Sequence, residues 1–230
     1  MSPVLPGEYV PAQHVNLKLG PGLLQQYSVN GQPVVVSTRA GDVQHSTNRS
    51  RWWIESNSRR YVPAPQELVV GVVVGRSGEN WRVDIGSAHT ATLDGLAFEG
   101  ATKRNRPNLK VGSLLFARVS LAHKDMEPEL ECFDAQTRKA EGFGELKGGF
   151  LVHCSLKMSR LLLDPLHFLL PLLGSRFSLE SAAGTNGRVW ITAKDPRQVI
   201  AVSRCIEGVD PDGGGMDEVA VKKFLSTLDV

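Results

Sequence analysis

The chain has 230 residues, 41% of them hydrophobic and 22% charged. That length holds one large domain or two to three small modules, and the balance is ordinary for a globular protein. With 26 Lys and Arg against 24 Asp and Glu the net charge is only +2, which excludes a polybasic nucleic-acid coat. Any affinity for nucleic acid therefore has to come from local clusters of Lys and Arg.

The first block, residues 1–66, contains LLQQYSVNGQPVVVS, two apolar runs flanking Asn30-Gly31. Asn-Gly supplies the positive φ angles of a type I′ turn, so a β-hairpin is expected there. RWWIESNSRRYVPAP follows, with Trp52 and Trp53 bracketed by Arg49, Arg51, Arg59 and Arg60. Neighbours on a strand face opposite sides, so at most one indole is free, and packing is expected of both. Pro63 and Pro65 stop any ladder and mark a linker.

The second block, residues 67–138, reads as strand throughout. ELVVGVVVG, NWRVDIG, HTATLDG, SLLFARVSLA and PELECFD are five short β-rich runs split by turns, the pattern of a small barrel or sandwich. Between the third and fourth lies FEGATKRNRPNLKVG, too long for a simple hairpin, and long loops in compact domains tend to be functional.

The third block, residues 139–230, is mixed α+β. FLVHCSL reads as a strand, KMSRLLL and LHFLLPLLG as helices with Pro165 between them and Pro171 kinking the second. FSLESAA and RVWITA are strands across Gly184-Thr185-Asn186-Gly187. Asp195 is an N-cap with Pro196 at the first helical position, Val199, Ile200, Val202 and Ile206 follow at helical spacing, and Gly208 is expected to close that helix. After Gly213-Gly214-Gly215 a last helix places Val221, Phe224, Leu225 and Leu228 on one face, with Asp217 and Glu218 suiting its N-terminal dipole. No internal repeat or low-complexity tract interrupts these blocks.

Cys132, Cys154 and Cys205 are odd in number and far apart, with no CxxC spacing, so neither a disulfide framework nor a zinc knuckle is supported and a reducing compartment fits best. The N-terminus has no basic region followed by an apolar core, so no signal peptide is expected. The most apolar stretch, Leu161 to Leu173, is too short and too interrupted to span a bilayer and is expected to be core helix.

KRNRPNLK carries the clearest chemical signal. Lys103, Arg104, Arg106 and Lys110 fall within eight residues that contain no acid, so they can contact successive phosphates with salt-dependent affinity. Asn105 and Asn108 add hydrogen-bonding groups. The other reading is a solvated loop, or one that docks on an acidic partner. A position between strands three and four of a five-stranded barrel favours RNA, because OB-type barrels bind nucleic acid with a strand face and its rim loops. Trp81 in the second strand is a candidate base-stacking platform, with a core tryptophan as the alternative.

Asp125, Glu127, Glu129 and Glu131 alternate, so an extended strand would point all four one way, as a metal-dependent nuclease would need. Their spacing of roughly 6.6–7 Å is too wide for two ions about 4 Å apart, and Pro128 breaks the row. A solvated strand with a structural Asp125 at the turn is favoured, with no metal and no cofactor. Ser155 lacks a GxSxG context. Gly184-Thr185-Asn186-Gly187 invites comparison with the GxxG loop that clamps RNA in KH domains. It lies between strands, whereas that clamp joins helices, and its central positions carry no Lys or Arg. Asn186 is therefore read as a buried or turn-forming amide, and Gly184 and Gly187 as backbone-conformation residues.

FEGATKRNRPNLKVG, then AHKDMEPEL, then GTNGRVW with Trp190, resembles one family of RNA exosome cap subunits, exosome component 3 (ribosomal RNA-processing protein 40). The resemblance covers most of the chain and is strongest from Tyr61 to Asp134. It implies an N-terminal β domain at 1–66, an S1-type OB-fold at 67–138, and a KH-type domain with a GxNG motif at 139–230. It further implies a non-catalytic subunit seated on a ring of RNase PH-like proteins beside other cap subunits, guiding single-stranded RNA into a channel served by separate ribonucleases. Location in the nucleus, nucleolus and cytoplasm follows from the same resemblance. By it Lys103, Arg104, Arg106 and Lys110 face the RNA path. A free-standing S1–KH module, such as a translation or ribosome-associated factor, is the competing expectation.

Overall fold

A computed structural model describes residues 3–28, 30–123 and 125–227. The chain divides into two units, one ending at Ser58 and the other beginning at Arg59.

The N-terminal unit consists of short strands: β1 (Pro3–Val4), β2 (Tyr9–Val10), β3 (Lys18–Leu19), β4 (Leu23–Tyr27), β5 (Pro33–Ser37), β6 (Gly41–His45) and β7 (Arg51–Glu55). They form two sheets, in the orders β1-β6-β7-β3 and β2-β5-β4. Val10, Ala12, Val35 and Trp52 make a small core. The expected hairpin is β4–β5, with Tyr27 opposite Pro33. Its turn differs from the expected type I′: the Gly31 N–H donates to the Ser28 carbonyl and the Ser28 N–H to the Gln32 carbonyl, with φ 74° at Gly31. Trp52 is buried and donates its indole N–H to the Arg49 carbonyl (2.7 Å), while Trp53 on the other face is half-buried. Both indoles pack.

In the second unit five strands close a barrel: β8 (Leu68–Ser77), β9 (Asn80–Asp84), β10 (Ala91–Phe98), β11 (Leu114–Leu121) and β12 (Glu129–Cys132). The alternation of Val, Leu and Ile along each strand sends one set inward, so Val69, Val83, Leu93, Leu115, Val119 and Leu130 fill the interior. Antiparallel β11–β8 and β11–β12 pairings and a parallel β10–β12 pairing complete the closure. Tyr61, ahead of the first strand, is part of this core and donates its hydroxyl to Glu67 (2.6 Å). A further strand, β13 (Gly144–Leu146), adds to β11.

Next come β14 (Phe150–His153), α1 (Leu156–Leu163), α2 (Leu169–Arg176), β15 (Leu179–Ala183), β16 (Arg188–Ala193), α3 (Pro196–Val209) and α4 (Glu218–Ser226). The sheet order is β14-β16-β15, and Val152, Met158, Leu169, Leu173, Ile191, Ile206 and Val221 form the core between sheet and helices. Ser155 caps α1, Asp195 caps α3 and Asp217 caps α4, each side-chain oxygen accepting a first-turn N–H. The apolar stretch Leu161–Leu173 is divided between α1 and α2, and no helix among the described residues is long and apolar enough to cross a membrane. Two helix expectations change. Pro171 is the third residue of α2, where an N–H has no acceptor within the helix, so it starts the helix and does not kink it. Gly208 lies inside α3, which ends at Val209 with Asp210 as its C-cap. A Cβ at Gly208 would sit 2.8 Å from Met216 Sδ, so this glycine makes room for the returning chain. Val221 and Leu225 bury the expected face of α4, and Leu228 lies outside the described residues.

Candidate nucleic-acid interface

The connection from β10 to β11, residues 99–113, leaves one end of the barrel and is held at three points. Thr102 and Asn105 exchange backbone hydrogen bonds (3.0 and 3.1 Å), and the Thr102 hydroxyl accepts the Asn105 N–H as well (3.1 Å). This tight turn presents Lys103, Arg104 and Asn105, all exposed. Arg106 is placed differently. Its guanidinium bonds Glu79 at 3.0 Å and its side chain is only 18% exposed. A Cβ at Gly95 would lie 3.3 Å from Arg106 Cδ and 3.0 Å from the Glu79 carbonyl oxygen, so the absence of a side chain there lets Arg106 lie across β10. Leu109 then plugs into the barrel core, and Lys110 beyond it is exposed.

The four cations expected to act together thus divide by role. Lys103, Arg104 and Lys110 have no ion-pair partner among the described residues, while Arg106 anchors the loop to the β8–β9 turn. Trp81 is a correction. A candidate platform with a core tryptophan as the alternative, it is 3% exposed and meets Phe98 edge-on at 6.1 Å inside the barrel. The alternation of β9 points Trp81 and Val83 inward, which leaves Arg82 as the outward side chain.

The other end of the barrel carries the helical domain. Asn186 is 6% exposed and spends its amide on barrel backbone: Nδ2 donates to the carbonyls of Val70 and Ile85 (both 2.9 Å), and Oδ1 accepts the Val70 N–H (3.2 Å). Thr185 donates its N–H and hydroxyl to the Leu68 carbonyl (2.8 and 3.0 Å). A Cβ at Gly184 would lie 2.6 Å from the Val70 nitrogen, and one at Gly187, where φ is 71°, would lie 2.6 Å from the Cys154 carbonyl oxygen. Arg188 adds paired bonds to the Asp84 carbonyl and carboxylate (2.6 Å each). The Asp84 carboxyl sits below its ordinary pKa: burial works against ionisation, but the Arg188 hydrogen bond and the Gly86 N–H outweigh it. Trp190 is 6% exposed and donates to the Gly148 carbonyl (2.8 Å). GTNG joins β15 to β16, and residues 164–168, which join α1 to α2, contain no glycine.

Residues 61–144 match a model of the S1 domain of exosome complex component RRP40, residues 17–60 one of the exosome complex exonuclease Rrp40 N-terminal domain, and residues 149–197 a KH domain. Exosome complex component rrp40 of Schizosaccharomyces pombe is 45% identical over 91% of this chain and 89% of its own length. The Homo sapiens RRP40 component is 37% identical over 85% and 71%, and that of Saccharomyces cerevisiae 30% over 99% and 97%.

The chain belongs to the Rrp40 family of exosome complex components.

A crystal structure of a candidate exosome complex RNA-binding protein shares the fold, with a TM-score of 0.60 at 22% identity over 73% of this chain and 94% of that one. In this Rrp40-family chain the alternating carboxylates do not act as a set. Glu131 pairs with Arg118, Glu127 accepts from the Thr92 hydroxyl (3.1 Å), and Asp125 lies at an exposed turn 3.8 Å from His123 Nδ1. Only Glu129 and Glu131 belong to β12, so the row is not one strand. Among the described residues no group of three or more His, Cys, Asp or Glu side chains is placed to hold a metal. The thiols of Cys132 and Cys154 are pushed up to about 12, and that of Cys205 to about 11, by burial.

The sequence reading missed the cations of the β12–β13 connection. Arg138 and Lys139 are exposed, and Ala140 donates its N–H to Glu99, the first residue of the basic loop (2.6 Å). What hid them is separation: 28 positions lie between Lys110 and Lys139 in the chain, and only barrel closure brings the two connections together.

Proposed function

We propose that this chain is a non-catalytic cap subunit of an RNA exosome, which passes single-stranded RNA toward a central channel and leaves cleavage to separate ribonucleases. The observation that carries the reading is the loop geometry: Lys103, Arg104 and Lys110 are exposed, with no ion pair among the described residues, on a loop that Arg106 and Leu109 pin to a closed barrel. Phosphates contacted by such cations release counterions, so binding is tolerant of sequence and falls with salt. Family membership supports the assembly half of the proposal, with RNase PH-like ring proteins and other cap subunits as neighbours, and with nucleus, nucleolus and cytoplasm as locations. The KH-type domain serves mainly as a brace, because GTNG is spent on the barrel and residues 164–168 lack the glycines of an RNA clamp.

The test replaces Lys103, Arg104 and Lys110 together by Ala in the reconstituted complex. Three lost phosphate contacts predict a salt slope shallower by about 2, at roughly 0.7 per contact for a single strand, with assembly unchanged. An unchanged slope and unchanged RNA protection would remove the loop from the RNA path.

A further inference from the structure

The two strands β10 and β12 run parallel, with Phe98 opposite Cys132. Their outgoing chains therefore leave the barrel side by side at the same end. One becomes the basic loop. The other becomes a turn closed on Asp134, whose carboxylate accepts the N–H groups of Gln136 (2.8 Å) and Thr137 (3.0 Å). The Asp134 carbonyl accepts from Arg138 (3.0 Å), and its N–H donates to the Lys139 carbonyl (2.9 Å). Glu99 ties this turn to the start of the basic loop through the Ala140 N–H.

Arg138 holds an unusual backbone there. Its φ is 55°, and with Glu141 it accounts for two of the four non-glycine residues with positive φ among those described. A side chain in that conformation is strained and glycine would relieve it, so the turn itself has no need of arginine. The guanidinium carbon instead stands over the Phe133 ring at 5.7 Å, with the residue exposed. A planar cation backed by an aromatic ring offers its outer face to a second flat partner. Lys139 beside it is exposed too, and neither residue has an ion pair among the described residues. The local acids are engaged elsewhere: Asp134 and Glu99 on backbone N–H groups, Glu141 on the Thr137 hydroxyl (2.8 Å).

We infer that the Asp134–Lys139 turn is a second RNA contact of the barrel, in which the Arg138 guanidinium is the stacking plane for a base and Lys139 meets a phosphate. This rests on the RNA-binding reading above and supplies what that reading lacks, a flat group in place of the buried Trp81. Single-stranded RNA is recognised by bases laid on aromatic or guanidinium planes, with cations along the backbone.

The experiment measures binding of fluorescently labelled single-stranded RNA of mixed sequence to the full chain at several salt concentrations, together with thermal melting. Arg138→Gly is expected to melt at the same temperature or higher and to bind about fivefold or more weakly. Arg138→Lys keeps the charge without the plane, so the salt slope holds while affinity falls, and Lys139→Ala makes the slope shallower by about 0.7. If Arg138→Gly binds as the native chain does while the Lys103, Arg104 and Lys110 triple variant is weakened, the turn is not a contact and the loop reading survives. If both bind as the native chain does, the RNA-binding reading fails and this one with it. An Arg138→Gly chain that melts early shows Arg138 to be structural, and an Arg138→Lys chain of native affinity removes the stacking role; either result overturns the inference.

Discussion

Asn186 satisfies two barrel carbonyls and one N–H with a single amide, at 2.9, 2.9 and 3.2 Å, in a place with almost no access to water. Removing it strands buried backbone groups that no solvent reaches, and each such loss costs about 1–3 kcal/mol. Asn186→Ala is therefore expected to lower the unfolding free energy by about 2–4 kcal/mol, read as a lower denaturant midpoint. Asn186→Asp should do no better, because a carboxylate cannot donate to the carbonyls of Val70 and Ile85. RNA affinity measured on the folded fraction should hold in both. From GTNG, whose two central positions carry no cation and which lies between two strands, a buried or turn-forming amide was legible, and the fold decides for burial. Its partners were not legible, because they stand more than 100 positions away in the chain. Trp81 shows the opposite case. Alternation says only that Trp81 and Arg82 point opposite ways, and which way is inward depends on closure.

At the scale of elements, the junction between barrel and helical domain has an ionic part in Asp84 and Arg188. Because the Asp84 carboxyl sits below its ordinary value of 3.8 in the folded chain, its contribution is complete above that value and is lost as pH falls through the native one. Near neutrality the contribution of this pair therefore does not vary with pH, and the loss comes in acid. Thermal melting from about pH 5 down to pH 3 should show a smaller fall in Tm for Asp84→Asn than for the native chain, the native and variant curves converging at the acid end. Parallel curves would show that the pair adds nothing to the junction. Among the elements, all five barrel strands, the helices and the β4–β5 hairpin could be read from alternation, caps and turn residues. The strand β13 could not, since Gly144–Leu146 is three residues long and is a strand only because β11 offers it an edge. Pro171 and Gly208 misled for a related reason. Both are breakers by propensity, and position within a first turn or beside Met216 removes the penalty.

At the scale of the whole molecule, the reading as a cap subunit predicts association more than isolated activity. Size-exclusion of a cell extract should place the chain in an assembly several times its own 25.0 kDa, together with RNase PH-like proteins. Elution at the mass of the free chain would favour a free-standing S1–KH module. The free chain is expected to bind RNA modestly, because a net charge of +2 leaves the affinity to local clusters such as the loop and turn cations.

The sequence by itself determined the order of the five barrel strands and of the helices, the basic run at 103–110 and the family resemblance, because periodicity, capping and contiguous motifs are local properties. The tertiary structure alone decided that Trp81 is core, that Arg106 anchors while Lys103, Arg104 and Lys110 have no ion pair among the described residues, and that the turn carrying Arg138 and Lys139 is tied to the start of the same loop. Inside and outside, paired and unpaired, are settled by contacts between residues distant in the chain, and those exist only once the barrel has closed.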